Sequence, residues 1–181
     1  MIEGFESALF DTVHHELKLL KNSRSILEAL SVEIETILCA EGILGQVEKE
    51  HHLTLAYQKH VSAVEVINTL CSLDKIRKSI ENIGLVNPHK QYDQTLHHVD
   101  ARESSVNKKV CIILQPHNAN NVYSTLLLSG QTSPHITLAT VTCSLEIAKQ
   151  QLVPKIRNLL KSHIVNQAIA ADLSEIVTHT K

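Results

Sequence analysis

Apolar residues recur at steps of three and four along two long stretches of the first half of the chain. Residues at these steps lie on one side of an α-helix. The pattern predicts one long helix from about residue 3 to 40 and a second over residues 53–83, with a turn at residues 41–45 between them. Gly84 and Pro88 mark the end of the second helix, because glycine suits a helix C-terminus and proline cannot continue a helix. This spacing predicts a long helical hairpin at the N-terminal end of the fold.

The pattern changes after the second predicted helix. Residues 87–107 show no apolar periodicity and are predicted to form a polar loop or junction. Three short runs rich in β-branched residues follow, at residues 110–114, 122–128 and 136–141. Such runs are typical of buried strands, and their short connections favour a three-stranded antiparallel meander. Helical spacing returns from Ser144, and a last helix is predicted at residues 164–177.

These patterns together predict an α+β fold in three parts. Residues 1–86 form the helical hairpin, residues 87–107 the junction, and residues 108–181 a small β-meander with C-terminal helices, which packs against the hairpin. A chain of 181 residues buries enough surface to fold without a disulfide or a structural metal. We therefore expect no cofactor.

Composition excludes several functional classes. The formal net charge is −2, which argues against a protein that mainly grips nucleic acid. The sequence contains no run of 18 apolar residues, so we expect no membrane insertion. The four cysteines are widely spaced and form no C-x-x-C pair. That spacing predicts reduced thiols and a cytoplasmic protein.

Histidine is the unusual residue of this sequence, with 12 copies and three adjacent pairs, at residues 14–15, 51–52 and 97–98. Neighbours on a helix point about 100° apart, so the first two pairs suit polar helix faces. His97, His98 and Asp100 fall in the predicted loop, where a flexible backbone could turn two imidazoles and a carboxylate toward one metal ion, with His89 or His117 completing the set. The histidine content also allows the hypothesis that the packing of the protein responds to pH, because histidines become charged near pH ~6.5.

Cys143 is the best nucleophile candidate, because it precedes a predicted helix whose N-terminus would stabilise a thiolate. The residues that follow are apolar or acidic, with Glu146 repelling an anion, so we predict no catalytic role for Cys143. The sequence also lacks a glycine-rich phosphate loop and a G-x-S-x-G nucleophile motif.

The predicted hairpin leaves apolar surface without a partner. A helix of about 38 residues is roughly 57 Å long, more than a small domain covers. Further apolar residues widen the exposed face: Leu19, Leu30, Ile37, Ile43 and Leu44. We therefore predict a non-enzymatic protein-binding subunit, an adaptor or chaperone-like component of an assembly, with these residues contacting a protein partner or a second copy. The alternative is a metal-dependent or histidine-based acid–base enzyme that uses His97, His98 and Asp100.

Overall fold

Two antiparallel sheets organise the computed structural model, which describes residues 9–82, 96–104, 109–116, 122–127, 133–164 and 169–181. We call the first sheet A; its strands are β1 (Leu9–Leu19), β3 (His52–Ser62) and β7 (Ala171–Thr180), in the order β3-β1-β7. We call the second sheet B; its strands are β2 (Gly45–Val47), β4 (Leu96–Glu103), β5 (Val110–Pro116) and β6 (Ile136–Val141), in the order β2-β6-β5-β4.

Helices connect and cover the sheets. They are α1 (Lys21–Glu41), α2 (Ala63–Asn82), α3 (Val122–Leu126), α4 (Leu145–Ile147) and, after a π-helical stretch at Ala148–Leu152, α5 (Val153–His163). In α1 the buried apolar residues recur at helical spacing and join the main core: Ile26, Leu27, Leu30, Ile34 and Leu38. Gly42 ends α1 at φ +67°, a left-handed conformation that glycine adopts without steric cost.

The fold is α+β, but the predicted N-terminal helical hairpin is wrong, because β1 and β3 occupy residues assigned to it. In β1 every second residue is buried over Val13, His15, Leu17 and Leu19. One member of this alternating set is a histidine, so the period of two is hidden in the apolar pattern. The four-residue step from Val13 to Leu17 fits a helix and a strand equally well. Among residues 9–82, the described part of the predicted hairpin, only α1 and α2 are helical.

The predicted C-terminal half is partly wrong as well. Strand β4 lies within the predicted loop, residues 122–126 form α3, and β7 occupies residues 171–177 of the predicted last helix. Strands β5 and β6 do form where they were predicted, and they pair antiparallel. Strand β7 lies at the edge of sheet A, and its buried residues Leu173 and Ile176 are three apart, a spacing that also fits a helix.

Each sheet takes strands from both sides of the predicted junction. Strand β7 pairs with β1 from the start of the chain, and β2 pairs with β6 from the second half. One main core cluster includes residues from both halves. Among the described helices, none has the length and hydropathy needed to cross a bilayer.

The apolar residues assigned to a protein interface are mostly covered by the chain itself. Leu19 is 2% exposed and Leu30 is 0% exposed, and both belong to the main core. Ile37 and Ile43 are partly buried and pack against that core. Only Leu44, at 77% exposure, offers its side chain to solvent. The sheets therefore cover much of the surface that the hairpin would have left open.

Candidate active site

Two strands carry the same four-residue pattern, His-x-Thr-Leu. Strand β3 begins with His52-Leu53-Thr54-Leu55, and His135-Ile136-Thr137-Leu138 leads into β6. In both copies the second and fourth residues are buried in the core at 0–1% exposure, whereas the histidine and the threonine are half-buried. Side chains alternate between the two faces of a strand. The apolar pair thus anchors each copy and turns its histidine and threonine toward the opposite face.

Each of the two histidine rings is held by its own hydrogen bond to a backbone carbonyl, and the two bonds have the same arrangement. The Nδ1–H of His52 donates to the carbonyl oxygen of Glu50, and the Nδ1–H of His135 donates to the carbonyl oxygen of Ser133, each at 3.1 Å. A carbonyl oxygen only accepts, so Nδ1 is the donor in both rings. In each ring Nε2 is then the nitrogen that can take up or release a proton.

His52 and His135, which we call the histidine pair, are near enough for the charge of His52 to affect the pKa of His135. Strand β3 of sheet A contacts β6 of sheet B. The pKa of His135 is lowered chiefly by burial, and the charges of Arg102 and His52 lower it further, against a smaller opposing effect of its hydrogen bond to Ser133. A lowered pKa keeps His135 neutral near pH 7. The pair therefore includes one imidazole that is ready to accept a proton.

Arg102 on β4 places a fixed positive charge beside His135. Its guanidinium donates from one terminal nitrogen to Oε1 of Gln115 at 3.1 Å and to Oγ of Ser133 at 3.0 Å. Ser133 is also the residue whose carbonyl orients His135. A guanidinium has five N–H donors, and these two contacts with described residues use only one of its nitrogens, so its other N–H groups can bind an anion.

On sheet A, a nearly buried carboxylate lies beside the other member of the histidine pair. Glu16 of β1 is 8% exposed. Its Oε1 accepts a hydrogen bond from Nε2 of His179 at 2.7 Å, and its Oε2 lies 3.5 Å from Nε2 of His52. A cavity of about 360 Å³ opens at this point and is lined by both acidic and basic side chains, among them Lys18 and Arg24.

His15 and His51 belong to the first two histidine doublets, and both are buried. His15 is 0% exposed; its Nδ1 lies 2.9 Å from Oγ1 of Thr178 and its Nε2 3.3 Å from Oε1 of Gln58. Nε2 of His51 lies 3.3 Å from Oγ of Ser31. Burial lowers the pKa of both rings. These doublets were assigned to polar helix faces; they are instead divided between a buried and a more open residue, as strand alternation requires.

The histidines assigned to a flexible loop lie on strand β4 instead. The pairing of β4 with β5 shifts register at His97, His98 lies opposite Gln115, and Oδ1 of Asp100 accepts a hydrogen bond from the next backbone amide at 2.8 Å. Over the described ranges, no three His, Cys, Asp or Glu side chains are grouped to hold a metal ion. His89 and His117 lie outside the described residues. The metal site at His97, His98 and Asp100 stays a prediction.

Cys143 is poorly suited to act as a nucleophile. It precedes Ser144, whose hydroxyl accepts the backbone N–H of Ile147 at 3.2 Å and caps α4. Burial raises the pKa of the Cys143 thiol, which disfavours the reactive thiolate.

The sequence reasoning missed the histidine pair because it grouped histidines with one another rather than with their neighbours. The available signal was the repeated His-x-Thr-Leu tetrapeptide, present at residues 52–55 and 135–138. A period of two within each copy indicates a strand with one polar face.

None of the protein-family models matches this sequence, and neither does any curated protein. Several solved structures are similar to the chain, and two of them are structures of Usb1. Usb1 from Kluyveromyces marxianus with uridine monophosphate has a TM-score of 0.48 and 12% identity, covering 94% of this chain and 98% of that one. A second structure of Kluyveromyces marxianus Usb1 has the same TM-score and identity, covering 95% of this chain and 99% of that one.

Two predictions from the sequence are corrected. The prediction of an adaptor or chaperone-like subunit is wrong, because strands β1 and β3 replace much of the helical hairpin that was to present its interface. The exclusion of nucleic acid is also wrong as it was drawn, because it was drawn from the net charge of the whole chain. A net charge of −2 averages over the whole chain and does not describe a local site that contains Arg102.

Proposed function

We propose that this chain is a phosphodiesterase in which His52 and His135 share acid–base catalysis on a phosphodiester of the nucleic-acid type. The observation that carries this proposal is the repeated His-x-Thr pattern on two adjoining strands, with each ring held through Nδ1 by a backbone carbonyl. The support comes from the residues of this chain.

Cleavage of a phosphodiester suits two imidazoles. The attacking oxygen must lose a proton and the leaving oxygen must gain one, and histidine performs both tasks near neutral pH. The hydroxyls of Thr54 and Thr137 lie on the same strand faces as the histidines and can donate to phosphate oxygens. Arg102 adds a positive charge for the negative charge that develops on those oxygens.

The proposed reaction assigns a different role to each ring. Neutral His135 takes the proton of an attacking hydroxyl, either a ribose 2′-OH or a water molecule. That oxygen forms a bond to phosphorus while the bond from phosphorus to the leaving oxygen breaks, and protonated His52 gives its Nε2 proton to the leaving oxygen. Attack by a 2′-OH yields a 2′,3′-cyclic phosphate. Proton exchange with water then restores the starting forms of both rings.

This proposal keeps the chemistry of the alternative predicted from the sequence, a histidine-based acid–base enzyme, but assigns it to different histidines. The set of His97, His98 and Asp100 remains the competing assignment within the same class. From the cysteine spacing we also propose that the protein is cytoplasmic.

The test is cleavage of a short uridine oligonucleotide and of uridine 2′,3′-cyclic phosphate by the full chain. We expect His52→Ala and His135→Ala each to lower kcat by about 10²–10⁴-fold without changing the melting temperature by more than a few degrees. The matched control is His163→Gln, because His163 binds Glu33 between α5 and α1. Its activity should equal that of the wild type.

Three outcomes would contradict the proposal. The first is that the wild-type chain cleaves neither substrate in any buffer, with or without added divalent metal ions. The second is that both alanine variants retain wild-type rates. A loss of activity confined to His97→Ala and His98→Ala would favour the competing assignment.

A further inference from the structure

We infer that Tyr57, backed by His14, is a platform on which an unpaired base of the substrate stacks. This inference rests on the proposed function and narrows its substrate class to single-stranded nucleic acid with a base next to the scissile phosphate. The observations that carry it are a stacked pair of rings and a β-bulge, both on the strands beside His52.

The β-bulge turns Tyr57 toward the face of sheet A that carries the first His-x-Thr pattern. In β3, Thr54 lies opposite Glu16 of β1. Tyr57 lies opposite His14, and the register shifts between these two pairs. Residues 55 and 56 are both 0% exposed. An unbroken strand would bury alternate residues and would turn Tyr57 into the core, whereas the extra residue of a bulge re-aims the side chains that follow it.

Tyr57 and His14 form a stacked aromatic surface on that face. Their ring centroids are 4.5 Å apart and their planes differ by 29°. Tyr57 is only half-buried, so the core does not enclose its ring. Burial lowers the pKa of His14, Glu16 opposes this effect, and the charge of His52 lowers the pKa further. The stacked rings therefore lie in the electrostatic surroundings of His52.

The distance from Thr54 to Tyr57 suits one nucleotide. Side chains on the same face of a strand are two residues, or roughly 7 Å, apart. Because of the bulge, Tyr57 is the next residue after Thr54 on the open face. The proposed function assigns the Thr54 hydroxyl to the phosphate. A base is joined to its phosphate through a single sugar, so a phosphate at Thr54 places a base within reach of Tyr57.

Lys59 supplies a positive charge beside the rings. Its Nζ lies 5.8 Å from the centroid of the Tyr57 ring, and its side chain is exposed. An exposed lysine side chain is flexible, so it can give way to a base and contact the adjoining phosphate. Proteins that bind single strands combine aromatic rings that stack on bases with cations that follow the backbone.

The test measures binding, which does not require cleavage. The probes are a strand of four deoxyuridines and a strand of equal length and charge in which abasic tetrahydrofuran units replace the nucleosides. Titration calorimetry with the full chain should show tighter binding of the deoxyuridine strand. Tyr57→Leu removes the aromatic ring but keeps an apolar side chain. We expect it to weaken binding of the deoxyuridine strand about tenfold and binding of the abasic strand less than about twofold.

Tyr57→Phe is the matched control, because it keeps the ring and should bind both strands as the wild type does. Equal binding of the two strands by the wild type would overturn the inference without any variant. Equal losses on both strands for Tyr57→Leu, or a loss in Tyr57→Phe as large as in Tyr57→Leu, would overturn it as well. If base-dependent binding is lost in Tyr57→Leu while His52→Ala and His135→Ala cleave at wild-type rates, the proposed function fails and the stacking platform stands.

Discussion

His52 and His135 are oriented by identical hydrogen bonds, each from Nδ1–H to the carbonyl oxygen two residues earlier, at 3.1 Å. The two strands belong to different sheets, so the same local arrangement is built twice and brought together by folding. Because a backbone carbonyl holds each ring, substitution of a neighbouring side chain leaves the tautomer unchanged. The environment of the rings can therefore be altered without disturbing their orientation.

Replacement of Arg102 by glutamine should act on both substrate binding and His135. We expect KM for a uridine dinucleotide to rise about tenfold, because a charge-assisted contact to phosphate is lost. We also expect the pKa of His135 to rise in part, since burial is the main cause that lowers it and the positive charge of Arg102 lowers it further. Steady-state kinetics and NMR titration of the imidazole measure the two effects. Lys161→Gln, an exposed cation on α5, is the control; an unchanged His135 titration in Arg102→Gln would contradict the prediction.

The buried His15 should make stability depend on pH. Burial lowers its pKa below the unfolded value of about 6.5, so the unfolded chain binds a proton more readily. The stabilising contribution is present above pH ~6.5 and is lost as pH falls toward the folded pKa, with a slope of at most ~1.4 kcal/mol per pH unit. Urea unfolding between pH 7.5 and 5 should therefore show a weaker pH dependence for His15→Gln than for the wild type.

The control for this titration is His60→Asn. His60 is exposed at φ +54°, a conformation that asparagine tolerates. We expect this variant to keep the wild-type slope. Parallel stability curves for the wild type and His15→Gln would contradict the assignment.

Tyr123 ties α3 to the first residue of β7. Its hydroxyl oxygen accepts the backbone N–H of Ala171 at 3.0 Å, and burial raises the pKa of Tyr123 to about 12. Tyr123→Phe leaves that amide without its acceptor, so we expect the free energy of unfolding to fall by about 1–3 kcal/mol. Tyr57→Phe is the control, because Tyr57 is only half-buried and stacks on His14. Equal stability of the two variants would show that the amide finds another partner.

Leu30 and Leu44 were both predicted to contact a protein partner, but Leu30 is buried in the core and Leu44 is exposed. Leu30→Ala should lower the free energy of unfolding by about 2–5 kcal/mol, because a fully buried side chain leaves a cavity. Leu44→Ala should change it by less than ~0.5 kcal/mol, since Leu44 is 77% exposed. Urea unfolding measures both. A Leu30→Ala variant with wild-type stability and an altered sedimentation coefficient would instead place Leu30 at an interface.

Local apolar patterns were sufficient where one period dominates. Strands β5 and β6 and most of α1 and α2 were predicted because their buried residues are apolar and follow a single spacing. The same approach failed for β1, whose buried set includes His15, and for β7, which lies at a sheet edge with polar residues on its open face. A spacing of three or four residues in such short segments fits both helix and strand.

The two His-x-Thr-Leu tetrapeptides, with the alternation that turns histidine and threonine away from the core, are present in the amino-acid sequence. Only the tertiary structure brings the two tetrapeptides together, because His52 begins β3 of sheet A, whereas His135 directly precedes β6 of sheet B, far away along the chain. The surroundings of each ring arise in the same way. Glu16 meets His179 through the pairing of β1 with β7, and Arg102 reaches Ser133 across sheet B. Charge and burial act through space, so these contacts form only once the sheets are assembled.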